Sequence, residues 1–173
     1  MNKNQFEKLS IEIFEDIGIR INSIDDIKDV LLNSKETATR SSMAYFIAEY
    51  KIAELQKDVV SILCSPISKN NDSTLIYASY QFECSQYFKV YIGIILERDY
   101  HSVLESYKAI RKCRNVPLLD LEEAKTALET WHFFFNFSDF LTNKVVESKI
   151  YLVQEILDYL KKRIKREKSK FYR

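Results

Sequence analysis

Glycine and proline are nearly missing from this chain, with two of each in 173 residues, where average usage would supply about twenty together. Tight turns draw on both, glycine for backbone at positive φ and proline for its preset φ. Sandwiches, barrels and hairpin meanders need many such turns, so their scarcity argues against an all-β architecture. The isolated Gly18 and Gly93 cannot build a glycine-rich phosphate loop. Long apolar runs are lacking as well. The most apolar stretches, Tyr87 to Leu96 and Trp131 to Phe137, are broken by Lys89 and by Asn136 and fall short of the ~20 residues that span a bilayer. Residues Met1 to Lys8 are polar and include Glu7, unlike the basic start and apolar stretch of a secretory signal. Cys64, Cys84 and Cys113 are odd in number and widely spaced, which fits neither a disulfide framework nor a CxxC knuckle. The expectation is a cytoplasmic protein with reduced thiols and no membrane span.

What is present is bulk and charge: 46% of residues are hydrophobic, 29% are charged, and there are eleven phenylalanines and eleven tyrosines. A chain of this size buries on the order of 70% of its unfolded surface when compact. The expectation is a single all-α domain over residues 1–173.

Apolar spacing places the helices. Phe6, Leu9, Ile13 and Ile17 share one face before Gly18. Ser23 is a candidate N-cap, with Asp25 and Asp26 in the first turn and Ile24, Ile27, Val30 and Leu31 following. From Thr37 the period runs through Met43, Ala44 and Ile47, then on through Ile52, Leu55, Val59, Ile62 and Leu63 to Cys64, with Pro66 closing it. Asp72 or Ser73 can cap a helix with Leu75, Ile76, Ser79 and Phe82 inward, and Ser85 to Glu97 is apolar on nearly every face, as befits the centre of the core. Asp99 caps the next helix, carrying Val103, Leu104, Tyr107 and Ile110, and Asp120 caps Leu121 to Phe135. A long terminal helix, about residues 139–167, carries Val146, Ile150, Val153, Leu157, Leu160 and Ile164 at spacings of four and three. That seam serves either as a core-facing surface in a monomer or as a homodimer contact.

Charge is uneven. Lys161 to Arg173 holds eight basic residues against Glu167, a local +7, leaving 18 basic and 24 acidic residues, or −6, elsewhere. An acidic body disfavours a broad nucleic-acid surface; the basic tail is the alternative route to nucleic acid, or else a helix end whose cations complement the dipole.

A period also recurs. Val59, Ile62 and Leu63, a polar loop, then Leu75, Ile76 and Ala78 are echoed by Ile92, Ile95 and Leu96, a shorter loop, then Val103, Leu104, Ser106 and Ala109. Ile27, Val30 and Leu31 before Met43, Ala44 and Ile47 give a rougher copy. Over residues 24–113 the sequence resembles HEAT-like helical repeats. Arg40 and Asp72 are the remnants of the loop and second-helix positions that such repeats mark with Arg and Asp, and the proline of the first helix is missing. The resemblance implies an all-α, right-handed stack of antiparallel helix pairs, an α-solenoid, with a long C-terminal helix; the alternative is an irregular helical bundle.

Chemistry is thinly supplied. Only two histidines, His101 and His132, are available for acid, base or ligand work near neutral pH. Glu129 and His132 form an ExxH pair, but a di-iron site needs a second such pair and two further glutamates. Trp131 and the three phenylalanines after it read as core. Arg98 and His101 stand too close for the Arg and His pair of helical HEPN ribonucleases. HEAT-like DNA glycosylases, an enzyme precedent that the resemblance brings, read DNA on a basic face that this acidic body lacks. No catalytic residue, metal site or cofactor is expected.

Recognition remains. Tyr77 and Tyr80 lie three apart, Tyr87 and Tyr91 four apart, and Glu49, Glu54, Asp58 and Glu83 can form an acidic rim around them; tyrosines of this kind are amphipathic interface anchors. At the level of class, the acidic-bodied helical chain resembles small bacterial immunity proteins, which cap a toxin's basic cleft by charge complementarity. The expected partner is a protein, a basic toxin domain.

Overall fold

A computed structural model of the chain describes residues 21–68, 72–136 and 144–170. Among them are eight α-helices and no strand. We number the helices α1 (Ile24–Asn33), α2 (Thr37–Glu49), α3 (Gln56–Leu63), α4 (Ser73–Ser79), α5 (Phe88–Glu97), α6 (Tyr100–Lys112), α7 (Leu118–Asn136) and α8 (Lys144–Lys170). The all-α expectation therefore holds. The helix expected over Phe6 to Ile17 and the start of the terminal helix near residue 139 lie outside the described residues.

Helix starts follow the sequence signals where an acid or hydroxyl can reach back. At α1, Asp26 N donates to Ser23 Oγ at 3.1 Å and Ser23 N to Asp26 Oδ2 at 2.9 Å, a capping box. At α6, Ser102 N donates to Asp99 Oδ1 at 3.0 Å. Asp120 is not a cap: α7 begins two residues earlier, after Pro117, whose carbonyl accepts from Leu121 N at 3.2 Å. A proline lacks the N–H that a first turn leaves unused, so it suits this position, and Asp120 sits in the first turn beside the positive end of the dipole.

The period from Thr37 to Cys64 is not one helix. It breaks at Lys51, whose φ of 55° is the one positive value at a non-glycine position among the described residues. Ile52 N donates to Ile47 O at 3.0 Å and Lys51 N to Ala48 O at 3.3 Å, and Ile47 and Ile52 are both buried. This is a Schellman motif with its apolar contact, built with lysine where glycine is usual.

Other helix ends are closed by side chains. Arg40, 4% exposed, donates to Ser34 O at the end of α1. The hydroxyls of Ser65 and Ser68 donate to Ile62 O and Leu63 O at the end of α3. Gln56 Nε2 donates to Ser79 O of α4 at 2.8 Å. Lys149 Nζ reaches Arg98 O at 2.7 Å, just past α5, and Arg163, 4% exposed, donates to Ile110 O and Arg114 O at the end of α6.

The chain divides into two compact units, Met1–Phe82 and Glu83–Arg173. In the first, α1 packs on α2 and α3, and α4 packs on α2 and α3; in the second, α5 packs on α6 and α7, and α8 packs on α6 and α7. Each unit thus closes the same ring of helices. The starts of α1, α3, α5 and α7 at residues 24, 56, 88 and 118 stand 32, 32 and 30 apart. One-turn 3₁₀ segments at Ala53–Leu55 and Ser85–Tyr87 lead into α3 and α5 at the same 32-residue offset. Ile27, Val59 and Tyr91, again 32 apart, are each wholly buried.

Trp131 and its neighbours depart from the core reading. Phe133, Phe134 and Phe135 are 59%, 65% and 38% exposed, because consecutive residues on a helix point about 100° apart and three in a row cannot share one buried face. Phe82, expected inward on a longer α4, lies past its end at Ser79 and is half-buried.

Two stability outcomes follow. Lys51→Gly relieves the left-handed backbone and raises stability by about 0.5–1 kcal/mol, seen as a higher urea midpoint at unchanged m-value. Arg163→Met leaves two carbonyls without their donors and lowers stability by about 2 kcal/mol, read from the same transition.

Candidate interaction groove

Helix α2 turns Met43, Ala44, Phe46 and Ile47 into the core of the first unit, which leaves Tyr45 and Glu49, four apart, on its outer side. Helix α4 packs against it and brings Thr74 and Tyr77 alongside. An open cleft of about 520 Å³ lies there, lined by Ser41, Ser42, Tyr45, Phe46, Glu49, Tyr50 and Thr74. Tyr77 Oη donates to Glu49 Oε1 at 3.0 Å. The Tyr77 ring stacks with Tyr45 at 6.2 Å and meets Tyr80 edge-on at 5.7 Å, while Phe46 and Tyr50 lie 4.3 Å apart. Tyr45 is 54% exposed.

Such a cleft combines two kinds of group that attract cations. Ring faces attract ammonium and guanidinium groups, and the carboxylate keeps acceptor capacity beyond its bond to Tyr77. A lysine or arginine brings an apolar stem for the rings and a charged head for Glu49.

The eight candidate residues are distributed as follows. Glu49, Tyr77 and Tyr80 come together as one cluster, with Tyr80 a buried ring beneath Tyr77. Glu54 is exposed on the 3₁₀ turn before α3. Asp58 in the first turn of α3 pairs with Lys28 at 3.3 Å. In the second unit, Glu83 is exposed and Tyr87 half-buried. Tyr91, with no exposed surface, belongs to the core of that unit and offers nothing to a partner; it faces inward on a helix that is apolar nearly all round. Sequence reasoning missed Tyr45, Phe46 and Tyr50. The pairs Tyr45 with Glu49 and Phe46 with Tyr50, both at a spacing of four, were the available signal.

Glu129, once a candidate ligand beside His132, is held by Lys125 at 2.7 Å and Lys161 at 3.4 Å, and the Lys125 hydrogen bond keeps its carboxyl below the usual range. Among the described residues no group of three potential ligands could hold a metal ion. No helix of the described residues is long and apolar enough to cross a membrane.

Glu83 has a local structural task. Its Oε1 accepts from Ser85 N at 2.9 Å at the turn that leads into α5, and the Ser85 hydrogen bonds, with Arg114 nearby, hold its carboxyl below the usual range. A depressed carboxylate contributes stability above its ordinary value of about 4.3, and that contribution is lost as pH falls through the lower folded value. Wild type should therefore exceed Glu83→Gln in stability near pH ~6, and the difference should vanish in stronger acid, as paired urea titrations across pH will read.

No family model, curated protein or solved structure matches the chain, so the chemistry of the groove itself carries the functional reading.

Proposed function

We propose that this is a non-enzymatic, protein-binding helical-repeat protein, which caps a basic protein partner in the manner of bacterial immunity proteins that neutralise toxins. The observation that carries the reading is the α2–α4 cleft, where Glu49 stands beside the exposed ring of Tyr45 and the half-buried rings of Tyr50 and Tyr77. Aromatic anchors with a carboxylate suit the basic cleft of a toxin domain.

In this reading the fold is a HEAT-like stack of helical hairpins, α1 with α2, α3 with α4, α5 with α6 and α7 with α8. Its support is the repeated ring of contacts, in which first helix meets first and second meets second, together with the near-constant spacing of helix starts. The alternative reading is a nucleic-acid-associated helical protein that binds through its basic C-terminal tail, whose cations also make contacts within the second unit. Lys161 pairs with Glu129, Lys168 with Glu122, Arg166 and Lys170 with Glu167, and Arg163 is buried on backbone carbonyls.

The test is capture of the tagged full-length protein from its native cells with and without nuclease treatment, in parallel with Glu49→Lys and Tyr45→Ala. One basic protein should co-elute with wild type in near-equal amount, associate more slowly as salt rises, bind about 30-fold more weakly to Tyr45→Ala and be lost with Glu49→Lys. Nuclease-sensitive nucleic acid that is retained by both variants and lost on truncation after Leu160 overturns the reading.

A further inference from the structure

The sequence separates Cys84 and Cys113 by 29 residues, but the fold brings their sulfurs to 3.6 Å. Cys84 immediately precedes the Ser85–Tyr87 turn that enters α5, and Cys113 is the C-cap of α6. Each is 1% exposed. Cys113 Sγ also lies 3.4 Å from Cys84 O, and Ser85 Oγ accepts from Arg114 N at 2.9 Å and Asn115 N at 3.2 Å. The entry of the α5–α6 hairpin is thus already laced to its exit, and the two sulfurs lie within that lacing.

We propose that Cys84 and Cys113 form a modification site at which a small peroxide oxidises the two thiols to a disulfide that clamps the α5–α6 hairpin. The Cys84 thiolate attacks one peroxide oxygen, the O–O bond breaks, and the other oxygen leaves as water after taking up a proton. The sulfenic acid left on Cys84 is attacked by Cys113 sulfur; the S–S bond forms as the S–O bond breaks, and a second water leaves. Two thiols and one hydrogen peroxide give one disulfide and two waters.

Three features favour this pair. The hydrogen bond from Cys113 holds the Cys84 thiol below its usual range, while the same contact and burial push Cys113 up, which assigns attack to Cys84 and resolution to Cys113. Burial restricts the oxidant to a small molecule that enters when the single-turn Ser85–Tyr87 segment opens. The sulfurs need close only from 3.6 Å to bonding distance, with the surrounding hydrogen bonds keeping the segments in place. Cys64 is exposed and serves as the internal control.

The reduced full-length protein is treated with hydrogen peroxide, quenched with an alkylating agent in urea, and analysed by intact mass and by non-reducing peptide mapping. The expected result is loss of the mass of two hydrogen atoms, a linked peptide pair holding Cys84 and Cys113, alkylation at Cys64, and a Tm higher by on the order of 10 °C that dithiothreitol reverses. In Cys113→Ala the sulfenic acid on Cys84 persists and is trapped by dimedone; Cys84→Ala gives no linked pair. Three alkylated cysteines after peroxide, a link that involves Cys64, or an 84–113 link that forms only when peroxide meets the urea-unfolded chain would each overturn the proposal, and none of these readouts needs a variant to fold.

Discussion

Every α-helix ends with carbonyls that have no partner inside it, and this chain must close those ends almost without glycine. From α1 to α6 no residue just past a helix end is a glycine, and Gly93 lies inside α5. The usual left-handed glycine cap is therefore replaced by side chains that reach the last carbonyls: Arg40, Ser65, Ser68, Gln56, Lys149 and Arg163. Gln56, Lys149 and Arg163 each come from a helix that packs against, or is laced to, the one they close. Capping and tertiary packing thus become the same interaction. A cation at a helix C-terminus also meets the negative end of the dipole, which offsets part of the cost of burying it. Lys149 makes that cost visible, since desolvation holds its pKa below the usual lysine range even with Asp99 nearby.

The same constraint accounts for the direction of α8. Lys149 closes the end of α5 and Arg163 the end of α6, and these two ends lie at opposite tips of a hairpin whose link is only Arg98 and Asp99. The two cations are 14 residues apart in sequence, a rise of about 21 Å, while the 13 residues of α6 span about 20 Å. A helix shorter than the stretch from Lys149 to Arg163 could not reach both tips, and reaching them in this order makes α8 run parallel to α6. Its apolar stripe, with Val153, Ile156 and Leu160 at no exposure, then falls against α6 and α7 of the same unit. The seam that could have joined two copies is occupied within the chain.

Helices were legible in the sequence because their signals are local: a capping box at Ser23, an acid at Asp99, and apolar spacing throughout. What stayed hidden was set by contacts distant in sequence or by the direction of a single residue. Nothing in the apolar period before Cys64 marks Lys51 as left-handed, since lysine is a poor choice there and the backbone bonds of Ile52 N to Ile47 O and Lys51 N to Ala48 O hold it so. Composition suggested that the aromatic run after Trp131 is core, whereas helical geometry spreads it around the axis. The tyrosine pairs were found by spacing, but spacing cannot tell an inward pair from an outward one, so Tyr91 was grouped with Tyr77. The partner of Cys84 could not be read at all, because it depends on how the α5–α6 hairpin closes.

Charge gives the sharpest contrast between sequence and surface. The +7 of the tail and the acids of α7 read as separate fields along the chain, yet Glu122 and Glu129 meet Lys168 and Lys161 across two packed helices. Each exposed pair contributes about 0–1 kcal/mol to stability. Glu49 is different. Among the described ion pairs none involves it, and its partner is the neutral hydroxyl of Tyr77. A tyrosine hydroxyl orients a carboxylate without cancelling its charge, and the rings beside it exclude water from one side. The charge left outward in the first unit is thus held in place against an aromatic surface, which is the arrangement that a cationic side chain of another protein can complete.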